Sequence, residues 1–201
     1  MKKIVFVGVY LCLLTGVGVA QKKPVSKNVP ISSLQLIGEY DVPHNLLFLG
    51  TTIGGLSGID YDSKHGVYYM ISDDRSAINP ARYYTAKIFF NEKKIDSVVF
   101  VKVTTLLQKN GTAYPNTKQD PAHTPDPEAL RYNSVTGQMI LTSEGERIVR
   151  GNDTVLQNPA ITLISPDGKY IDTVPLPKNL RMRATEIGPR QNGVLEGMSF
   201  A

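Results

Sequence analysis

Apolar and polar positions alternate along this chain in short runs, and the clearest runs come in pairs joined by a polar turn. Residues 55–61 and 67–71 flank a turn containing Gly66, and residues 126–132 and 138–142 flank one containing Gly137. Each pair predicts a β-hairpin. The two pairs are copies of one another: Tyr61 and Tyr132, Gly66 and Gly137, Ser72 and Ser143, Asp73 and Glu144 all lie 71 residues apart. A third, partial copy, Val194-Leu195-Glu196-Gly197-Met198-Ser199-Phe200, sits 68 residues beyond the second, which makes Ser57, Glu128 and Glu196 equivalent positions. A fixed spacing of this kind argues for one supersecondary unit used repeatedly.

Further strands are predicted over residues 34–40, 82–90 and 95–104, the last two joined by the turn Asn91-Glu92-Lys93-Lys94. Another hairpin is predicted for residues 160–164 and 170–174, across Ser165-Pro166-Asp167-Gly168-Lys169. Residues 176–190 are Arg-rich and loop-like. The stretch 108–127 is polar and carries Pro115, Pro121, Pro125 and Pro127, and it delivers the chain directly into Asp126 and Glu128. Loops of that length inside a compact domain are more often functional than idle, a surface excursion being the alternative. No stretch holds helical periodicity over three turns, so the class is all-β. The repeat predicts a partial β-propeller built of repeated antiparallel β-sheets, or blades. The spacing exceeds the roughly 40–45 residues of a common four-stranded blade, leaving room for one blade with insertions or part of two. The sequence stops inside the third unit, which predicts the N-terminal, incomplete part of a propeller and hence either a truncated product or a fragment of a longer protein.

Composition changes this picture at one end. Residues 1–20 read as a secretory signal peptide: Lys2-Lys3, an apolar run from Ile4 to Leu14, then small residues up to Gly18-Val19-Ala20. The run is shorter than the roughly 20 apolar residues of a membrane span, so no span is expected after cleavage. The expected location is the periplasm or the cell exterior. Cys12, the only cysteine, lies within the leader, and Leu11 before it is bulky where a lipoprotein signal carries a small residue. Residues 21–30 are expected to be a flexible lead, with the propeller domain covering 31–201. The formal net charge is +4, from 22 basic and 18 acidic residues; without Lys2 and Lys3 it is 20 − 18, or +2. The basic residues are scattered among acids, which is no nucleic-acid footprint.

Five segments stand in order along about 140 residues: Gly55-Leu56-Ser57-Gly58, Ser72-Asp73-Asp74-Arg75, Asp126-Pro127-Glu128-Ala129, Ser143-Glu144-Gly145 and Asn192-Gly193-Val194-Leu195-Glu196-Gly197. Together they resemble the phytase-like family, described by an esterase-like activity of phytase, and they imply its propeller fold. The last segment departs from the family pattern at Val194, where Gly is usual, and at Leu195, where an aromatic is usual. The resemblance implies an exported esterase or phosphoesterase acting on a small phosphate ester or other ester.

Carboxylates converging from several strands suit hard divalent cations such as calcium, which take six to eight oxygen ligands at roughly 2.3–2.6 Å. The candidate ligands are Asp73, Asp74, Glu128, Glu144 and Glu196, with Asp126 and Glu146 behind them. Glu128 and Glu196, whose apolar flanks predict inward-pointing side chains, are also the candidate catalytic groups. A cation there could bind a phosphate oxygen and lower the pKa of a water, and Arg75 and Arg147 could hold the remaining phosphate oxygens. Equally, acids at strand ends can simply cap turns or pair with Arg, and Arg82 and Arg131 are expected to be such structural partners. His44, His65 and His123 show no ligand spacing; His65 reads as a turn residue, and His123 lies near Asp126. Ser57 stands outside any Gly-x-Ser-x-Gly elbow, and its repeat partners are glutamates, so it is not expected to be a nucleophile. Two classes of function follow: a calcium-dependent phosphoesterase, or a non-catalytic propeller whose acids hold a structural cation or bind a cationic or sugar ligand.

Overall fold

The two copies fold alike down to their turns. In a computed structural model of the chain, which describes residues 31–151, 153–185 and 187–200, the Asp62 side chain accepts the N–H groups of Lys64 and His65, at 3.0 and 3.2 Å. The Asn133 side chain does the same for Val135 and Thr136, also at 3.0 and 3.2 Å. Asp and Asn favour such turns because the side-chain oxygen stands in for a backbone acceptor. The predicted leader (1–20) and lead (21–30) lie outside the described residues.

The fold is all-β. Residues 31–36, which belong to a separate N-terminal unit, carry no regular structure. In the unit that follows, β1 (Leu47–Phe48) and β2 (Thr51–Thr52) form a small hairpin. Next come β3 (Leu56–Asp62), β4 (Val67–Ser72), β5 (Arg82–Phe90) and β6 (Ile95–Thr105), an antiparallel sheet in chain order. The second copy supplies β7 (Pro127–Asn133) and β8 (Gln138–Ser143), and then a separate hairpin of β9 (Glu146–Arg150) and β10 (Asp153–Gln157). Strands β11 (Ala160–Ile164) and β12 (Tyr170–Val174) return to complete a second sheet of order β7-β8-β11-β12. Each sheet is propeller-like: four antiparallel strands starting from the repeated motif.

Alternation along the strands decides what each face buries. Tyr69 and Ile71 of β4, with Tyr83 of β5, pack with Leu130, Met139, Leu141 and Ile164 of the second sheet. Met70, Tyr84, Ala86 and Phe100 point the other way, into a second cluster with Ile53 and, at its edge, Phe48. The first sheet is therefore covered on both faces. Two tyrosine hydroxyls of the core are matched: that of Tyr69 donates to Asp62 at 3.1 Å and that of Tyr83 to the Pro166 carbonyl at 2.6 Å.

Two sequence expectations need correction. Residues 34–40 form no strand; Leu34 is 92% and Leu36 83% exposed, and without a neighbouring ladder the backbone gains nothing by extending into a strand. The β9–β10 hairpin was not anticipated. Gly145 ends β8 with φ +85°, and a Cβ there would lie 2.3 Å from the Gln157 carbonyl oxygen, so the chain breaks between Glu144 and Glu146 and starts a new strand.

Close packing between the copies centres on Gly58. A Cβ on Gly58 would lie 2.8 Å from the Glu128 carbonyl oxygen and 3.1 Å from the Ala129 Cα. Gly58→Ala is expected to force β3 and β7 apart and to lower stability by about 1–3 kcal/mol, the usual cost of overpacking. Denaturant unfolding checks this, and an unchanged midpoint would contradict the close approach.

Candidate active site

Three carboxylates meet where the second copy begins and where β8 ends. Asp126 closes the proline-rich loop, Glu128 sits in β7 at an irregularity of register, and Glu144 follows β8. One oxygen from each lies within 4.8 Å of the others. The backbone that holds them is repeated from the first copy. Glu144 N–H donates to the Asp126 carbonyl at 3.1 Å, as Asp73 N–H does to that of Gly55 at 2.7 Å. The serine before each acid also bonds across the motif: Ser143 Oγ accepts from Asp126 N–H at 3.0 Å, and Ser72 Oγ donates to the Gly54 carbonyl at 2.8 Å.

The copies differ in what they contribute. Where the second copy has Asp126, the first has Gly55 at φ +56°, and a Cβ there would stand 1.8 Å from Asp73 Oδ1. The Asp73 carboxylate therefore folds over a position that must lack a side chain. Where the second copy has Glu128, the first has Ser57, whose hydroxyl donates to the Glu128 carbonyl at 2.9 Å. Ser57 thus supports the backbone of Glu128. Glu196, the third equivalent, is exposed, and the segment around it forms no strand. That segment is held by Glu144, whose Oε1 accepts the N–H of Gly193 and, at 3.0 Å, that of Val194.

The other candidate residues divide into two groups. Arg75 Nη1 lies 2.5 Å from Glu146 Oε2 and 3.7 Å from Asp126 Oδ2, joining the end of the first motif to the acids of the second. Glu146 is further held by Gln191 at 2.5 Å and by Arg147 N–H at 3.0 Å. Asp74 turns away from the cluster. It meets the buried Arg82 at 2.7 Å and accepts the N–H groups of Ala77, Ile78 and Asn79, capping the turn before β5. Arg147 Nη1 donates to the Thr185 carbonyl at 3.3 Å. Arg131 donates to the Ile59 carbonyl at 2.8 Å, and His65 and His123 pair locally with Asp62 and Asp120. Asp126, ranked behind the other acids in the sequence, is central here. The repeat gave no signal for it because its counterparts are Gly55 and Val194.

Burial, with like charges adding to it, raises the carboxyls of Glu128, Asp126 and Asp73. Burial, reinforced by the carboxylates of Asp126, Glu196, Glu144 and Asp73, pushes Glu128 up to about 8. Asp126 is pushed up to about 6 by burial; Arg75 works against the rise and Glu144, Glu146 and Asp73 add to it. A hydrogen bond shared with Glu144 raises Glu196, and burial raises Asp73. An all-oxygen donor set held this close could hold a metal ion, which would relieve the repulsion.

Fold and site together define an all-β, propeller-like protein with a carboxylate-lined site at the junction of its repeats. The family described as Phytase-like, esterase-like activity of phytase, matches residues 51–201, and the chain belongs to that family. No curated protein and no solved structure matches the chain. Membership supports a hydrolase-type role.

The raised carboxyls have a consequence for stability. Without a cation the folded chain keeps a proton on Glu128 up to about pH 8 and on Asp126 up to about pH 6, whereas the unfolded chain releases them near 4.5 and 3.8. Between those values the native state binds more protons, so stability falls as pH rises. In chelator, the thermal midpoint is expected to drop steadily between about pH 4 and pH 8. A flat profile would mean that these carboxyls are not raised.

Proposed function

We propose that the protein is an exported phosphoesterase whose site takes a hard divalent cation, calcium, and hydrolyses a small phosphate ester. The observation that carries this reading is the convergence of Asp126, Glu128 and Glu144 within 4.8 Å, with Arg75 beside them. Asp126, Glu128 and Glu144 would hold the cation, with Asp73 and Glu196 around them. When bound, the cation supplies charge neutralisation and a water of lowered pKa. Arg75 keeps Nη1 on Glu146, while its buried Nε and Nη2 have no partner among the described residues. Those two N–H groups suit phosphate oxygens, because a guanidinium fork matches them in pairs. Glu196, exposed and hydrogen-bonded to Glu144, would in its ionised form accept the proton of the attacking water as the bond from phosphorus to the alcohol oxygen breaks, and the departing alkoxide would be protonated by solvent. Arg147, already donating to Thr185, is the second candidate for the phosphate.

Thermal unfolding in excess calcium and again in chelator tests the cation. Calcium at a hundred times its dissociation constant should add about 2.7 kcal/mol to stability, and a midpoint indifferent to calcium would remove the cation from this reading. Glu128→Gln separates catalysis from support. It is expected to cut 4-nitrophenyl phosphate turnover by about 100-fold or more, to weaken the calcium shift, and to raise the midpoint in chelator at about pH 7, because the folded state no longer has to take up a proton at position 128. Loss of folding with no turnover to lose would favour the non-catalytic alternative, a structural cation in a binding propeller. Export rests on residues 1–20, and mass spectrometry of the exported protein is expected to find a chain starting at Gln21; a retained leader would contradict it.

A further inference from the structure

A cavity of about 660 Å³ opens beside the acids, and Val42, Pro43, Ile53, Leu56 and Ile78 give it an apolar wall. His44, Asn45, Thr52 and Thr117 line it as well, and Asp73, Asp74 and Arg75 stand at the side of the carboxylates. Its size falls within the range of small-molecule sites. The cations of the cavity are unequal. Arg82 lines it too, but Arg82 is 2% exposed and its guanidinium is occupied by Asp74, the Tyr84 hydroxyl and the Thr52 carbonyl. Among the described residues that line it, Arg75 is the arginine whose Nε and Nη2 have no partner, His44 is the remaining basic side chain, and no lysine is present.

These features are matched by one kind of molecule. An ester with a single anionic group can place that group between Arg75 and the acid cluster while its alcohol part covers Ile53, Leu56 and Ile78. A polyphosphorylated polyol would instead set its further phosphates against Asp73, Asp74 or the apolar wall, with His44 as the one basic side chain besides the two arginines among the lining residues, and charges left unpaired away from water are costly. We propose that this cavity seats the alcohol part of the substrate, and that the preferred substrate is a monophosphate ester of an aromatic or aliphatic alcohol rather than a polyphosphorylated polyol. This rests on the phosphoesterase reading above.

Ile78 gives a clean test, because it is 73% exposed and carries little of the fold. In calcium, the protein and its Ile78→Asp variant would be compared on 1-naphthyl phosphate, glycerol 1-phosphate and inositol hexakisphosphate. Titration calorimetry would measure the binding of 1-naphthyl phosphate to each, with Glu128→Gln as the background for slow turnover. The expected result is that the parent prefers 1-naphthyl phosphate. Ile78→Asp should raise its KM about tenfold, in line with the 10–200-fold worth of one apolar contact in a pocket, with a clearly smaller rise for glycerol 1-phosphate and an unchanged unfolding midpoint. Efficient hydrolysis of inositol hexakisphosphate, or an unchanged KM in Ile78→Asp, overturns the cavity assignment and leaves the phosphoesterase reading standing. Binding of 1-naphthyl phosphate that Ile78→Asp abolishes, with no ester hydrolysed, supports the cavity and overturns the reaction. Neither binding nor turnover overturns both.

Discussion

The contact between β3 and β7 governs the rest of the structure. The two strands open equivalent units, and they meet with each position close to its own counterpart. Ser57 bonds the backbone of Glu128, 71 residues on, and Arg75 bonds Glu146, also 71 residues on. One step out of that register, Arg131 reaches the Ile59 carbonyl and Tyr132 N–H reaches Asp60, each across 72 residues. Such an interface needs little side chain at its centre, which is why Gly58 stands against the Glu128 carbonyl. It also has a price in charge, because units that repeat an acidic strand end bring their acids together.

That concentration is only partly relieved within the protein. Arg75 reaches the cluster from the first copy with its Nη1 divided unequally, at 2.5 Å from Glu146 and 3.7 Å from Asp126. Among the described residues no basic group pairs with Glu128, and burial with its like-charged neighbours raises it. Asp74 shows what relief looks like when it is complete. Arg82 and three backbone N–H groups hold its pKa below the usual value even though burial works the other way. The same residue type, one position from Asp73, thus becomes a structural cap, whereas Asp73 stays with the unrelieved acids.

Much of this was legible in the sequence, for reasons that particular residues make plain. The hairpins around Gly66 and Gly137 announce themselves through alternation and turn chemistry, both local properties. The 71-residue period predicted that Asp73 and Glu144 would end equivalent strands, and they do. The rest depends on long-range packing. The expected pairing of Arg82 with an acid is met by Asp74, eight residues away across a turn, but nothing local says that Asp73 instead folds over Gly55. Gly145 carries no periodicity, yet its close approach to the Gln157 carbonyl separates β8 from β9 and puts Glu146 with Arg75. Asp126 escaped the repeat because only the second copy has an acid there. The strand expected at residues 34–40 failed for the converse reason: suitable side chains do not make a strand without a neighbour to complete its ladder.

The inequality of the copies is what turns a repeated fold into a site. Were both units to carry the second motif, the first would add a glutamate at position 57 and an aspartate at position 55, and the latter would collide with Asp73. The first copy instead carries small residues there: Ser57 steadies the Glu128 backbone, Gly55 makes room for the Asp73 carboxylate, and Gly58 admits the neighbouring strand. Space cleared in this way borders the cavity, which Gly54, Gly55 and Leu56 help to line. The second copy supplies the charge and the first supplies the room beside it, a division that the proposed binding of an ester, anionic end and alcohol end together, would use.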